Sequence, residues 1–508
     1  MLTSNELIMA IDQGSTGTKV LVIDQQGEVL ASSYRRIAVI YAQPGWVEHD
    51  PEDIWQSVIG CLREIASTLS LDRVAAIGIT NQRETTIIWD RGTGEPVFNA
   101  ISWQCRRSAD ISQRWTNAGL GGEIQFKTGA ILDAYYSATK IAWLMENRPG
   151  LREQAERGKL CFGTVDTWLI WKLTGGSSHV TDSSNAVRTI MYNFRDAKWD
   201  QELLQKMHIP SGILPKVLPS NGYFGDAVEP GEIIQAPIPI RACLGDQQSA
   251  LFGHACYTSG MAKCSFGTCL NLGMNIGPEV MPSPGGLNPT IAWNIDGKLT
   301  YKVEGGIFVG GLLLDWLQSN MRMASSPTEL TAMAQSVDSA EGVYFVPAFV
   351  GLSAPYWDMF ARGTIVGLTA AHDRRHIVRA AFESLGLQLS DVLGAMKKDF
   401  RIRPQVIRAD GGVAKNDFVM QLTADITGVR IERPDSLERT SLGAAYLAGL
   451  SIGLWHDLGQ VSQLWRLDRA FAPRMPEPGR AQLLENWDHA VDRAKGWIRP
   501  TSGGIVRE

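Results

Sequence analysis

The sequence predicts an α/β chain built as two domains of similar plan. Two observations lead there. Apolar strand-like runs alternate with helix-patterned stretches along most of the 508 residues. A strand, polar loop and strand near the N-terminus also return, at low identity, about 250 residues later, a normal domain length. At roughly 100–200 residues per domain the chain has room for two large units. The division is placed so that they cover residues 1–254 and 255–508.

The first element is a hairpin. Leu7-Ile-Met-Ala-Ile11 is an apolar run that closes on Asp12, and Gln13 to Lys19 read as a polar, glycine-bearing loop. Val20 to Ile23 return, Asp24 to Gly27 turn, and Val29 to Tyr34 form a third strand. A helix follows. Asp50 suits the N-cap, Pro51 the first helical position, and Glu52 and Asp53 the positive end. Ile54, Trp55, Val58, Ile59, Leu62 and Ile65 then recur at helical spacing. Val74 to Ile79 is a buried strand that runs into Thr80-Asn-Gln-Arg-Glu84. The second hairpin-like start has Ala242 to Gly245 leading to Asp246, then strand Ala262 to Phe266, loop Gly267-Thr268-Cys269 and strand Leu270 to Asn275. A third glycine turn, Ala409 to Asn416, lies between strand-like Val406-Ile407 and a helix over Phe418 to Ile426. Ala481 to Trp497 read as a final amphipathic helix.

Composition removes several function classes. Apolar residues are 44% and charged residues 20%, the balance of a globular chain. Lys plus Arg number 48 against 53 Asp plus Glu, a net charge of -5, with no basic run to track a nucleic acid. No uncharged apolar stretch is long enough to span a bilayer. Met1 to Ala10 contain Glu6 and lack the basic start and apolar core of a secretory signal, so the expected location is the cytoplasm. The seven cysteines are scattered and form no Cys-x-x-Cys, which argues against disulfides and zinc.

Three glycine loops in one chain suggest phosphate chemistry. In the first, glycine admits backbone N–H groups, hydroxyls donate and Lys19 adds charge. It is not a Walker A loop, because Lys19 stands five residues after Gly14 and Val20 follows it. A plain polar hairpin turn is the competing reading. Loops facing one another across a cleft would hold the phosphates and nucleoside of a nucleotide. Phosphoryl transfer to a hydroxyl then needs one carboxylate near Mg²⁺ and one to take the proton. Asp12 and Asp246 each end an apolar run beside a glycine and suit those tasks; capping a turn is the alternative for each. Arg83 and Glu84 offer donors and acceptors to a polyhydroxy substrate, but neighbours in a strand face opposite ways, so they share a ligand only if the chain bends there. An exposed ion pair is the other reading. His372 and His376, four apart, could share a helix face as metal ligands, but no third ligand completes a site.

Ala10-Ile-Asp-Gln-Gly-Ser-Thr16, Gly45-Trp-Val-Glu-His-Asp-Pro51, Gly78 to Thr86, Trp103-Gln-Cys-Arg-Arg107, Phe162 to Gly175, Gly245-Asp-Gln-Gln-Ser-Ala250 and Ala354-Pro-Tyr-Trp357 occur in one order along nearly the whole chain. With the segments Tyr135 to Asn147 and Gly363 to Glu383, they closely resemble the glycerol kinase branch of the FGGY carbohydrate kinases. The second of these segments contains both histidines, which ends the metal reading. The resemblance implies a two-domain actin-like (ribonuclease-H-like) ATPase fold with an interdomain cleft. It also implies ATP and Mg²⁺, a small polyol as partner (glycerol first) and a homo-oligomer, dimer or tetramer. It assigns Asp246 as general base and Asp12 as the carboxylate near Mg²⁺. Ser15, Thr16, Lys19 and Thr268 match the phosphate side, and Gly311, Gly412 and Asn416 the nucleotide side. Arg83, Glu84, Trp103, Tyr135, Asp246 and Gln247 match the glycerol-contacting set.

The chain departs from that pattern in places. Asn271 stands where the family commonly has a Phe against glycerol, so an apolar wall becomes a donor and acceptor. A longer polyol or a ketose (a tetritol, erythrulose, xylulose or ribulose) is therefore the alternative substrate class. Asp315 replaces a Gln near the nucleotide. Glu232 to Arg241 lack the family's fructose 1,6-bisphosphate loop, and a His that some bacterial members have phosphorylated is absent, so neither regulation is expected. A remoter alternative is an actin-like nucleotide-binding chaperone or sensor with no acceptor; Asp246 and the Arg83-Glu84 pair speak against it.

Overall fold

In the computed structural model, residues 6–498 are described; of the segment read for a signal, Met1 to Asn5 lie outside them. The N-terminal elements are β1 (Leu7–Gln13), β2 (Gly17–Ile23), β3 (Val29–Arg36), α1 (Pro51–Ala66), β4 (Val74–Asn81), β5 (Gly225–Ala227), β6 (Ile238–Gly245) and α2 (Asp246–Gly253). Their strands form one six-stranded sheet in the order β5-β6-β4-β1-β2-β3, with β1 parallel to β4 and antiparallel to β2. Then come β7 (Ala262–Phe266), β8 (Leu270–Gly277), β9 (Asn288–Ile295), β10 (Lys298–Ile307), α3 (Gly311–Ser319) and α4 (Arg374–Phe400). The chain continues with β11 (Val406–Asp410), α5 (Asp417–Thr427), β12 (Arg430–Pro434), α6 (Arg439–Ser451), β13 (Leu467–Phe471) and α7 (Glu477–Ala494). These strands form a seven-stranded sheet, β9-β10-β8-β7-β11-β12-β13. Residues 82–224 add helices and two-stranded sheets beside the first sheet.

The expected α/β alternation and both hairpin starts are present, and α1 begins where its sequence requires. Asp50 accepts a hydrogen bond from the Glu52 N–H, Pro51 lies in the first turn, and α1 packs on β2 and β3, with Ile54, Val58, Leu62 and Ile65 buried in one core with β1 and β4 residues. Two readings need correction. The first loop is shorter than its composition suggests, because strand pairing continues to Gln13↔Thr18 and puts Lys19 in β2 opposite Asp12. Backbone pairing outweighs the polarity of Thr18 and Lys19. The final helix begins at Glu477, with Pro478 in its first turn, and ends at Ala494 before the left-handed Gly496. His376 lies in the first turn of α4, where it completes a capping box with Asp373.

The two sheets are joined through helices. α6, late in the sequence, returns to the first sheet and packs on β1, β4 and β6, where Leu442, Ala444, Ala445 and Leu447 meet Ile8, Ala10, Ala76 and Leu244. α2 lies against α6 and also touches β7, β8 and β9. The contact is backbone to backbone. A Cβ on Gly443 would lie 1.9 Å from the Ser249 carbonyl oxygen, and one on Gly253 would lie 2.0 Å from that of Arg439. Only glycine permits that approach. The other sheet buries its apolar face against α4 and α5. Among the described residues no helix is long and apolar enough to cross a membrane. All seven cysteines are free, and only Cys269 is exposed.

Candidate active site

The site is assembled where β1, β6 and the polar face of the second sheet meet. Asp12 lies near the end of β1 and is half-buried. Its carboxyl is raised to about 7, chiefly because burial removes the carboxylate from water. A hydrogen bond from Ser441 Oγ at 2.8 Å opposes this shift, while the nearby Asp246 adds to it. Lys19, opposite Asp12, pairs with Glu438 at 2.6 Å. Ser15 Oγ accepts from the Trp103 indole N–H at 2.8 Å, and Thr16 is exposed. Glu438 and Ser441 come from the start of α6, and no sequence motif pointed to them.

Asp246 is the first residue of α2, partly open to solvent, directly after β6. Arg83 Nε stands 3.1 Å from its Oδ1. Gly245 makes the approach possible, since a Cβ there would lie 2.6 Å from Arg83 Cδ. The bend that Arg83 and Glu84 need is present. Glu84 has φ +61°, and the Thr85 N–H donates to the Arg83 carbonyl at 2.7 Å, closing a three-residue turn. The pair is no exposed ion pair. Both residues are buried, Arg83 bonded to Glu304 at 2.7 Å and Glu84 held by Arg188. Trp103 and Tyr135 are half-buried and meet edge-on with centroids 5.5 Å apart. Gln247 accepts from the buried Lys263, which also donates to Ser265 at 2.9 Å.

Sequence reasoning missed Arg188, Lys263, Lys302 and Glu304. For three of them a weak signal was present, charged residues inside strand-like stretches: Lys263 in β7 and Lys302 and Glu304 in β10; Arg188 lies in a short turn, where no such signal exists. Burial pushes the Lys302 ammonium down to about 7, against the attraction of Glu304. Removing one member of such a buried charge cluster typically costs about 3–5 kcal/mol.

The second glycine loop meets the start of α3. The N–H groups of Gly310 and Leu312 donate to the Thr268 carbonyl at 2.8 and 3.2 Å, and the Gly311 N–H donates to that of Gly267 at 2.8 Å. Thr268 and Gly412 are exposed, and Gly412 has open space where a side chain would project. Val413, next to it, lies 2.8 Å from where a Gly311 Cβ would be, so the second and third loops adjoin. Asn416 is occupied locally: its side chain caps α5 by accepting from the Phe418 N–H at 3.0 Å and donates to Thr331 at 2.9 Å. Asp315 faces solvent on α3. Asn271 lies on β8 directly across from Ser265 and beside Gly306, and its Oδ1 is buried with no hydrogen-bond partner.

Models of the FGGY family of carbohydrate kinases match the chain twice, the N-terminal domain over residues 7–253 and the C-terminal domain over residues 262–452. The chain belongs to this family. The FGGY chain is 47% identical over 496 residues to a glycerol kinase of Carboxydothermus hydrogenoformans, covering 97% of this chain and 99% of that one. It is 48% identical over 492 residues to a glycerol kinase of Caldanaerobacter subterraneus subsp. tengcongensis, covering 96% and 99%. Among solved structures, this FGGY kinase superposes on Plasmodium falciparum glycerol kinase with ADP at a TM-score of 0.92 and 36% identity, over 97% and 99% of the two chains. A ligand-bound xylulose kinase of Lactobacillus acidophilus follows at 0.87 and 25%, over 96% and 97%. The actin-like ATPase fold is therefore that of this family, and the chain is an ATP-dependent sugar or polyol kinase.

Proposed function

We propose that the chain transfers the γ-phosphoryl group of ATP to glycerol, giving sn-glycerol 3-phosphate. The acceptor is held by residues of domain 1–254, and the nucleotide by domain 255–508. The observation that carries this is the 3.1 Å contact between Arg83 and Asp246, which ties the candidate base to the residues suited to hold hydroxyls. A hydroxyl held by Arg83 and Glu84, with Trp103 and Tyr135 against its carbons, would give its proton to Asp246 as its oxygen bonds to the γ-phosphorus and the bond to ADP breaks. Ser15, Thr16, Lys19 and Thr268 serve the phosphates; Gly311, Gly412 and Asn416 border the nucleotide. The hard oxygen donor of Asp12 beside Asp246 fits Mg²⁺. When bound, the ion neutralises charge on the phosphate oxygens. The family resemblance supports a homo-oligomer, dimer or tetramer, whose size light scattering measures.

The test is ADP release with Mg-ATP against glycerol, erythritol, threitol, dihydroxyacetone, xylulose and ribulose. Glycerol is expected to give the highest kcat/KM; a panel without an acceptor above background, or acceptor-independent hydrolysis alone, rejects the reading. The unpartnered Asn271 Oδ1 favours a second reading, an acceptor with a further hydroxyl to donate to it. On that reading Asn271→Phe shifts preference toward glycerol over four- and five-carbon acceptors by about tenfold or more. An unchanged ratio of efficiencies removes Asn271 from the acceptor site.

A further inference from the structure

Glu304 lies on β10 of the second sheet, level with Gly273 on β8 and, beyond it, Lys263 on β7. Its side chain is 4% exposed and is met by cations from several directions. Oε1 accepts from Arg83 at 2.7 Å and pairs with Lys302 at 2.6 Å, while Oε2 faces Arg188 at 3.7 Å. Arg188 in turn holds Glu84. The groups therefore run Asp246, Arg83, Glu304, Arg188, Glu84, alternating in sign. Both ends of the line are acceptor-side residues from the N-terminal half; its centre is a carboxylate supplied by the opposite sheet.

From this geometry we infer that Glu304 is a positioning residue for the phosphoryl acceptor, holding Arg83 against Asp246 and Arg188 against Glu84 from across the domain junction. The inference rests on the polyol kinase reading above. Arg83 and Arg188 are like charges brought together in a buried space, and their mutual repulsion is opposed by the carboxylate between them. A neutral group of the same shape would leave both guanidiniums packed but uncompensated. The two cations would then move apart, Arg83 from the place where it meets Asp246 and Arg188 from the place where it meets Glu84. The spacing of the groups that hold the substrate hydroxyls would be lost. Nothing on the nucleotide side touches Glu304 among the contacts described, so the disturbance should fall on the acceptor alone.

The test compares Glu304→Gln, Glu304→Asp and the unmodified full chain. Steady-state kinetics with glycerol and Mg-ATP are measured together with calorimetric binding of each substrate. Glu304→Gln is expected to lower kcat/KM for glycerol about 30-fold or more while KM for ATP moves less than about threefold. Glu304→Asp, which keeps the charge but shortens its reach, is expected to fall between the two. It is read on its own should the Gln variant not fold. A general structural role would weaken both substrates equally. That outcome, or a Glu304→Gln enzyme within about threefold of the unmodified one, or a Glu304→Asp enzyme indistinguishable from it, overturns the inference. If the unmodified chain phosphorylates no acceptor, the function reading fails first, and this inference falls with it.

Discussion

In an Asp246→Asn enzyme, phosphoryl transfer falls by about 10²–10⁴-fold while ATP still binds. The substitution keeps size and removes only the basicity that accepts the hydroxyl proton. The surroundings predict a clean result. Arg83 loses its 3.1 Å partner but keeps Glu304 at 2.7 Å and Gln248 at 3.1 Å, so the acceptor side stays ordered. The N-cap of α2 is also undisturbed, since that position is Gly245 and not Asp246. Single-turnover transfer and ADP binding, measured on the same preparation, separate the two effects. Near-normal turnover would show that another group takes the proton.

The second large effect concerns stability. Gly443→Val is expected to destabilise the fold by about 3 kcal/mol or more, the severe end of overpacking. A Cβ there would lie 1.9 Å from the Ser249 carbonyl oxygen, and no rotamer change moves a backbone atom out of its way. Gly394→Ala is the matched control. Gly394 lies in the middle of α4, is exposed and has open space where a side chain would project, so alanine there should stabilise by about 0.4–1 kcal/mol. Denaturant unfolding of both variants checks the pair, and the two changes should have opposite signs. Activity should fall in Gly443→Val as well. α2 carries Asp246, and α6 carries the Ser441 that bonds Asp12. Equal melting of Gly443→Val and the unmodified chain would mean the helices are not held in contact.

Local signals in the sequence carried much of this far. The N-cap at Asp50 and the glycine loop after Phe266 depend on neighbours within a few residues, and each appears where expected; β1 runs one residue past Asp12. The need for a bend at Arg83-Glu84 was also legible, because two adjacent side chains cannot serve one ligand from a straight strand. Long-range partnerships were not. Lys19 meets Glu438 across 419 positions, and Arg83 meets Glu304 across 221. Nothing in the spacing of either residue encodes its partner. α6 returns to the first sheet for the same reason: its apolar residues declare a buried helix but not which sheet buries it. Strand register decided the place of Lys19, whose charge alone suggested a loop.

The close backbone approach of α2 and α6 has a mechanical consequence. Where helices interlock through long side chains, relative movement requires many rotamers to change together. Where they touch through glycine at Gly443 and Gly253, with few side chains such as Leu251 and Leu442 beside them, there is less to unlock, and one rod can turn on the other as a stiff body. Such a joint acts like the rivet of a pair of scissors. Asp246 begins one blade and Ser441, bonded to Asp12, sits near the start of the other. Both carboxylates stay at the ends of strands in the first sheet, so a few degrees of rotation at the rivet would change their distance from the Thr268 and Gly311 loops of the second sheet without unfolding either. Turnover of this enzyme would be paced by how fast those blades part to let product go.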